Sequence, residues 1–159
     1  MKKDHPGSSM RIIGLGNLMR GDDAVGLLAA RRLRQSLGDR AEVIEAGMAG
    51  VDIVELMRGA SVAIMIDAAQ SGQCPGTIHR LDASTEPIAV QMHSPSSHAL
   101  GLSEALELAR ALGVLPKTVI VFGIEVGDTE AGQPLSPQVA KALDEVVSLV
   151  IQECDACHA

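Results

Sequence analysis

The sequence predicts an α/β domain built on a mostly parallel sheet, and three observations carry that expectation. Short apolar runs, partly β-branched, alternate with amphipathic segments, which is the pattern of strands covered by helices on both faces. A chain of 159 residues fits one domain and is long enough to bury one substantial core. Hydrophobic residues make up 47% and charged residues 21%, a globular balance with no bias toward disorder.

Residues 10–15 (MRIIGL) read as the first strand. From Asp22 the pattern turns helical: Val25, Ala29, Leu33 and Leu37 recur four apart, Arg31, Arg32 and Arg34 face elsewhere, and Gly38 closes the helix. Residues 41–45 form a second short strand and 51–57 a short helix. Residues 61–66 (SVAIMI) are a buried strand ending at Asp67. Residues 77–81 (TIHRL) follow the turn signal Cys74-Pro75-Gly76 and alternate like an edge strand; with no helix before them, they are expected to run antiparallel.

A polar loop over 82–97 leads into a helix over 99–112 with Leu102, Ala105, Leu106, Ala109 and Leu112 on one face. Residues 118–124 (TVIVFGI) are another buried strand. The last helix, 137–152, has Ser136 as N-cap, Pro137 in its first turn and an apolar stripe of Val139, Ala142, Leu143, Val146 and Val150. Five strands result, in one domain over 10–152, flanked by an N-terminal tail over 1–9 and a loose C-terminal tail over 153–159.

Composition narrows the function. Phe122 is the one aromatic residue and the formal net charge is −7, so base stacking and phosphate attraction are both missing and nucleic acid is excluded as a partner. No apolar run reaches the length of a membrane span. The opening MKKDHPGSS lacks the apolar stretch of a signal peptide, and three cysteines make no disulfide framework. A cytoplasmic location is the expectation.

The first strand runs into Gly14-Leu15-Gly16-Asn17-Leu18-Met19-Arg20-Gly21-Asp22-Asp23. A dinucleotide fingerprint starting at Gly14 would need glycine where Met19 stands. A phosphate loop matches at Gly16 and Gly21, but Asp22 and Asp23 occupy its Lys and Ser/Thr positions. Two carboxylates repel a phosphate and attract a cation, so this is a cation loop or a pair of helix caps. One of the two, Asp22 by preference, serves as the cap while Asp23 points into the crevice. Asp67 leaves the sheet at a strand's carboxyl end, where ligands gather in open α/β sheets. His98 sits just before a helix, after a long loop; alone it reads equally as a cap or a solvated side chain.

Taken together, these residues resemble the hydrogenase maturation endopeptidases. The resemblance spans 10–151 and rests on four ordered motifs: Gly14-Leu15-Gly16-Asn17 with Arg20 to Gly26; Glu45-Ala46-Gly47-Met48-Ala49-Gly50; Ile66-Asp67-Ala68; and Ser97-His98-Ala99-Leu100-Gly101-Leu102. It implies a three-layer α/β/α sandwich around a five-stranded twisted sheet. It also implies an endopeptidase, of aspartyl type by classification, that cuts the C-terminal extension from a nickel-iron hydrogenase large-subunit precursor after nickel insertion. The implied metal-contacting and catalytic positions are Asp23, Asp67 and His98, and the metal is nickel supplied by the precursor. Glu45, Gly47 and Gly50 are the implied substrate contacts, with Glu45 where the family often has aspartate. The chain is expected to act as a monomer.

Two carboxylates and an imidazole suit a borderline first-row ion and leave coordination positions open. An enzyme-held zinc would use similar residues, but no H-E-x-x-H helix is present, and neither G-x-S-x-G nor a base beside Cys74 supports a serine or cysteine nucleophile. The attacking group stays open. Cys154, Cys157 and His158 spell C-x-x-C-H; haem attachment would require export, and a loose terminal tail is the plainer reading. That motif leaves room for a second function, a non-proteolytic nickel-binding maturation factor or metallochaperone. His79 and His93 read as surface residues, with His93 the reserve for His98; Met48, Met57 and Met65 read as core filler. Glu125 and Asp128 end a strand near enough to line the cleft but read by default as solvated loop residues.

Overall fold

The computed structural model describes residues 9–47, 52–92 and 101–158 of the chain. Five strands, β1 (Met10–Leu15), β2 (Glu42–Ala46), β3 (Val62–Ala69), β4 (Ile78–Asp82) and β5 (Thr118–Glu125), form one sheet in the order β2-β1-β3-β5-β4. All neighbours are parallel except β4 and β5, so the edge strand with no helix before it runs antiparallel as its sequence predicts. Helices α1 (Val25–Leu37) and α4 (Pro137–His158) cover one face, and α2 (Ile53–Met57) and α3 (Leu102–Ala111) the other.

Alternation along the strands builds two cores. Ile12, Ile64, Ile66, Phe122 and Ile124 meet Val25, Ala29, Leu33 and the stripe of α4, while Ile13, Met65, Val119 and Val121 meet Met57, Leu102, Leu106 and Ala109. Thus α1, α3 and α4 bury the faces their spacing predicts, except that Leu112 ends α3 exposed.

Three boundaries differ from expectation, for physical reasons. Strand β3 runs through Asp67 to Ala69 because β5 continues beside it, pairing Asp67 with Gly123 and Ala69 with Glu125. Glu125 is therefore a buried strand residue, not a solvated loop residue. Residues 153–158 are the last turns of α4 instead of a loose tail: Cys154 packs fully buried in the core, Glu153 pairs with Arg80 and Asp155 with Arg40. Met57 and Met65 are core residues as expected; Met48, Gly50, His93 and His98 lie outside the described residues.

The start of α1 sits unusually close to the sheet. A Cβ on Gly26 would fall 2.3 Å from the Leu15 carbonyl oxygen and 2.4 Å from that of Ile66, and one on Gly14 would fall 2.3 Å from the Gly26 oxygen. These two glycines let helix backbone touch the backbones of β1 and β3, and so fix what precedes the helix over the strand ends.

Candidate active site at the carboxyl ends of the strands

From β1 the chain passes to β2 on one side, and β3 then returns to β1's other side. The strand order thus reverses between β1 and β3. In open α/β sheets the crevice outside the carboxyl ends at such a point is the preferred ligand site. Asp23 reaches it from the β1–α1 turn, and Asp67 from the end of β3.

The turn is tied to itself and to its surroundings. The Asn17 N–H donates to the Asp23 carbonyl at 3.1 Å, the Asp23 N–H to the Arg20 carbonyl at 3.0 Å, and the Asn17 side-chain oxygen accepts the Met19 N–H at 2.9 Å. Gly16 (φ 144°) and Gly21 (φ 49°) hold backbone angles that side chains resist. A Cβ on Gly16 would also lie 2.0 Å from the Asp23 oxygen, and one on Gly21 2.5 Å from the Asp128 oxygen. The glycines that resemble a phosphate loop serve this compaction.

Asp22 and Asp23 then part ways. The Asp22 carboxylate accepts the N–H groups of Gly127 (2.9 Å), Asp128 (3.2 Å) and Ser136 (2.7 Å) and the Ser136 hydroxyl (2.8 Å). Its own N–H returns to the Asp128 carbonyl at 2.8 Å. Asp22 does not cap its own helix, contrary to expectation; its carboxylate binds the β5–α4 loop and the start of α4 instead. Asp23 is 2% exposed, and burial pushes its carboxyl up to about 6 against the opposing Arg20 charge and a hydrogen bond from the Asn17 backbone.

Asp67 is 7% exposed and accepts the Ala68 N–H at 2.8 Å. Burial raises its carboxyl well above the usual range, the Ala68 hydrogen bond opposes this, and the charge of Asp23 raises it further. The structure thus brings Asp23 and Asp67 into one electrostatic unit. Ionising both at once is costly, and a divalent cation between them would relieve that cost. Among the described residues no third His, Cys, Asp or Glu joins them into a metal cluster; His98, the expected third member, is outside that set.

The implied substrate contacts divide. Gly47 follows β2 beside the same turn, where a Cβ would meet the Leu27 side chain at 2.8 Å and the Gly16 oxygen at 3.4 Å. Glu45 has its carboxylate held by Arg31 at 2.9 Å and Arg34 at 2.6 Å, both from α1. The Arg34 hydrogen bond, then those of Arg31 and both charges, outweigh burial and keep that carboxyl below its usual range. In this structure Glu45 joins β2 to α1.

One cluster escaped the sequence reading. Glu125, 1% exposed, accepts the Ser71 N–H at 3.1 Å and the Ser71 hydroxyl, and pairs with His79 Nε2 at 2.9 Å. Burial raises this carboxyl, but the bonds from Ser71 and His79 prevail and leave it below the usual range. His79 is accordingly a partly buried partner, not a plain surface residue. Its alternation within an edge strand gave the only signal, because the register that brings His79 opposite Gly123 is long-range. Gly123 lies between His79 and Asp67 in the register, and Met92 fills the space a side chain would take there, 3.4 Å from an added Cβ.

A doubly wound sandwich with two desolvated carboxylates at its switch point offers a candidate site for cation binding or acid–base chemistry. The hydrogenase maturation protease family profile matches residues 27–153, and the chain belongs to that family, whose members are peptidases. The Hydrogenase 2 maturation protease of Escherichia coli K12 is 29% identical over 143 residues, covering 88% of this chain and 87% of its own. The hydrogenase expression/formation protein HupD of Thiocapsa roseopersicina is 27% identical over 144 residues; the match covers 89% of this chain but 65% of that relative's length. In structure, the hydrogenase maturating endopeptidase HybD from E. coli superposes with a TM-score of 0.77 at 25% identity, covering 93% of both chains.

Proposed function

We propose that this chain is an endopeptidase that removes the C-terminal extension of a nickel-iron hydrogenase large-subunit precursor, with Asp23 and Asp67 reading a nickel ion that the precursor carries. The observation behind this reading is the pair of carboxylates raised by burial at the switch point, in a chain of the maturation protease family. His98 is the third donor that the sequence resemblance assigns, and Glu45, Gly47 and Gly50 are the substrate contacts that it implies. Two hard oxygens and one imidazole, with positions left open for the ion's own ligands, suit a borderline first-row metal. A substrate-borne ion also explains why the acids stay in an unfavourable electrostatic state: their counter-charge arrives with the precursor. The metal would then position the extension and polarise its peptide carbonyl. The compartment that fits this reading is the cytoplasm; among the described residues no helix is long and apolar enough to cross a membrane.

The test is mass measurement of a nickel-loaded precursor before and after incubation with the protein. Loss of the extension with wild type, and none with Asp23→Asn or His98→Ala at unchanged thermal midpoint or higher, is the expected result. Processing by both variants at the wild-type rate would remove the two residues from the mechanism. The metallochaperone alternative loses its main support, because Cys154 is buried in the core and burial first of all pushes its thiol up to about 11. A Cys154–Cys157 clamp would have to draw the Cys154 thiol out of the core.

A further inference from the structure

The tip of the β1–α1 turn presents two apolar side chains to solvent, Leu18 at 46% and Met19 at 72% exposure. Isolated exposed apolar residues are common and by themselves say little. This pair differs in how it is held and in what it adjoins. The Met19 N–H donates to the Asn17 side chain at 2.9 Å, the Arg20 N–H to the Asn17 carbonyl at 3.2 Å, and the Met19 carbonyl accepts the Gly132 N–H at 3.0 Å. The tip's backbone is therefore tied down on both sides, and the side chains are what it offers outward. The same turn carries Asp23 four residues after Met19, so a chain engaged at Asp23 has its neighbouring residues within reach of the tip. An extended segment covers about 3.3 Å per residue, and a methionine adapts its shape to different apolar partners.

We infer that Leu18 and Met19 form the docking tip for the precursor, covering an apolar side chain in the extended segment that flanks the cut. This rests on the proteolytic reading above and names the surface by which that site holds its substrate. Continuity with the Asp23 turn favours the precursor over a second copy of this chain as the occupant. Contacts to a residue beside the reacting bond are made equally in ground and transition states, so their loss acts on KM.

The test is the double variant Leu18→Ser/Met19→Gln with the nickel-loaded precursor. KM is expected to rise about ten-fold with kcat unchanged, the loss of one buried apolar contact of this size. Precursor affinity, measured by rapid-mixing binding with Asp23, Asp67 and His98 all intact and before cleavage sets in, should fall by the same factor. Unchanged KM and affinity overturn the inference, as does a fall confined to kcat. A precursor that binds wild type without being cut overturns the proteolytic reading alone, and the affinity of the double variant then still decides the docking tip. A precursor that neither binds nor is cut overturns both.

Discussion

Asp22 and Asp23 are adjacent, equally buried and chemically identical, yet the fold treats them oppositely. Asp22 receives four donors from the β5–α4 loop and Ser136, whereas burial dominates Asp23 and drives its carboxyl up to about 6. The contrast recurs two strands across. Glu125 is held ionised by Ser71 and His79, while Asp67, near the end of the neighbouring strand, is raised by burial and by the charge of Asp23. Buried carboxylates that stabilise a fold are given donors. Those in which burial outweighs the hydrogen bonds they receive, as it does at Asp23 and Asp67, become candidates for chemistry, because a charge from outside can relieve their instability.

The largest expected effect separates the two classes by function. Asp67→Asn or Asp23→Asn should lower kcat/KM for precursor processing by at least about 10²–10³-fold, the cost of removing one group that acts on developing charge. Asp22→Asn should leave turnover per folded molecule within about three-fold, since it changes a cap and not a reacting group. Single-turnover cleavage followed by mass spectrometry measures both. An Asp22→Asn enzyme as inactive as Asp67→Asn would break the distinction.

Next in size is the stability that the donors provide. Asp22→Ala leaves three N–H groups and the Ser136 hydroxyl without their acceptor and should cost about 3 kcal/mol. That is a fall of about 8 °C in thermal midpoint for a domain of this length. Glu125→Gln keeps the shape but gives up charge-assisted bonds to Ser71 and His79, for about 1–2 kcal/mol. Because the folded carboxyl of Glu125 lies below its unfolded range, its contribution is present above the unfolded value and fades as pH falls through the folded one. The gap between wild type and Glu125→Gln should accordingly narrow in acid, as thermal melts over a pH series would show.

The sequence revealed the two classes unevenly. The strands, the antiparallel edge and the apolar stripes were legible because period-2 and period-3.6 patterns are local. Asp23 and Asp67 were legible because one sits in a glycine turn and the other at a strand end, both places with functional meaning in α/β sheets. The donors were not. Gly127, Asp128 and Ser136 lie more than a hundred residues from Asp22, and Ser71 and His79 lie roughly fifty from Glu125. The role of Gly14 and Gly26 was equally hidden, since a helix touching a strand leaves no periodicity, only two small residues. The end of α4 was missed for another reason: C-x-x-C-H near a terminus reads as a motif or a tail, whereas Cys154 is simply the last residue of the apolar stripe.

The smallest predicted effect has the opposite sign to that of Glu125. The unfolded carboxyl of Asp23 titrates near 3.8 and the folded one at about 6, so ionisation opposes folding. Its contribution to stability is full below about 3.8 and is lost as pH rises through 6. Asp23→Asn carries no such loss. Relative to wild type, its thermal midpoint should rise across this window and level off above it, by on the order of 1 kcal/mol, a few degrees. Nickel or zinc added to wild type should recover the same few degrees above pH 6 and have little effect near pH 4, where a protonated Asp23 is a poor ligand. Asp22→Asn should show no such rise, because it weakens the bonds from Gly127, Asp128 and Ser136. Equal shifts for Asp22→Asn and Asp23→Asn, or a metal effect independent of pH, would mean that the two neighbours share one environment after all.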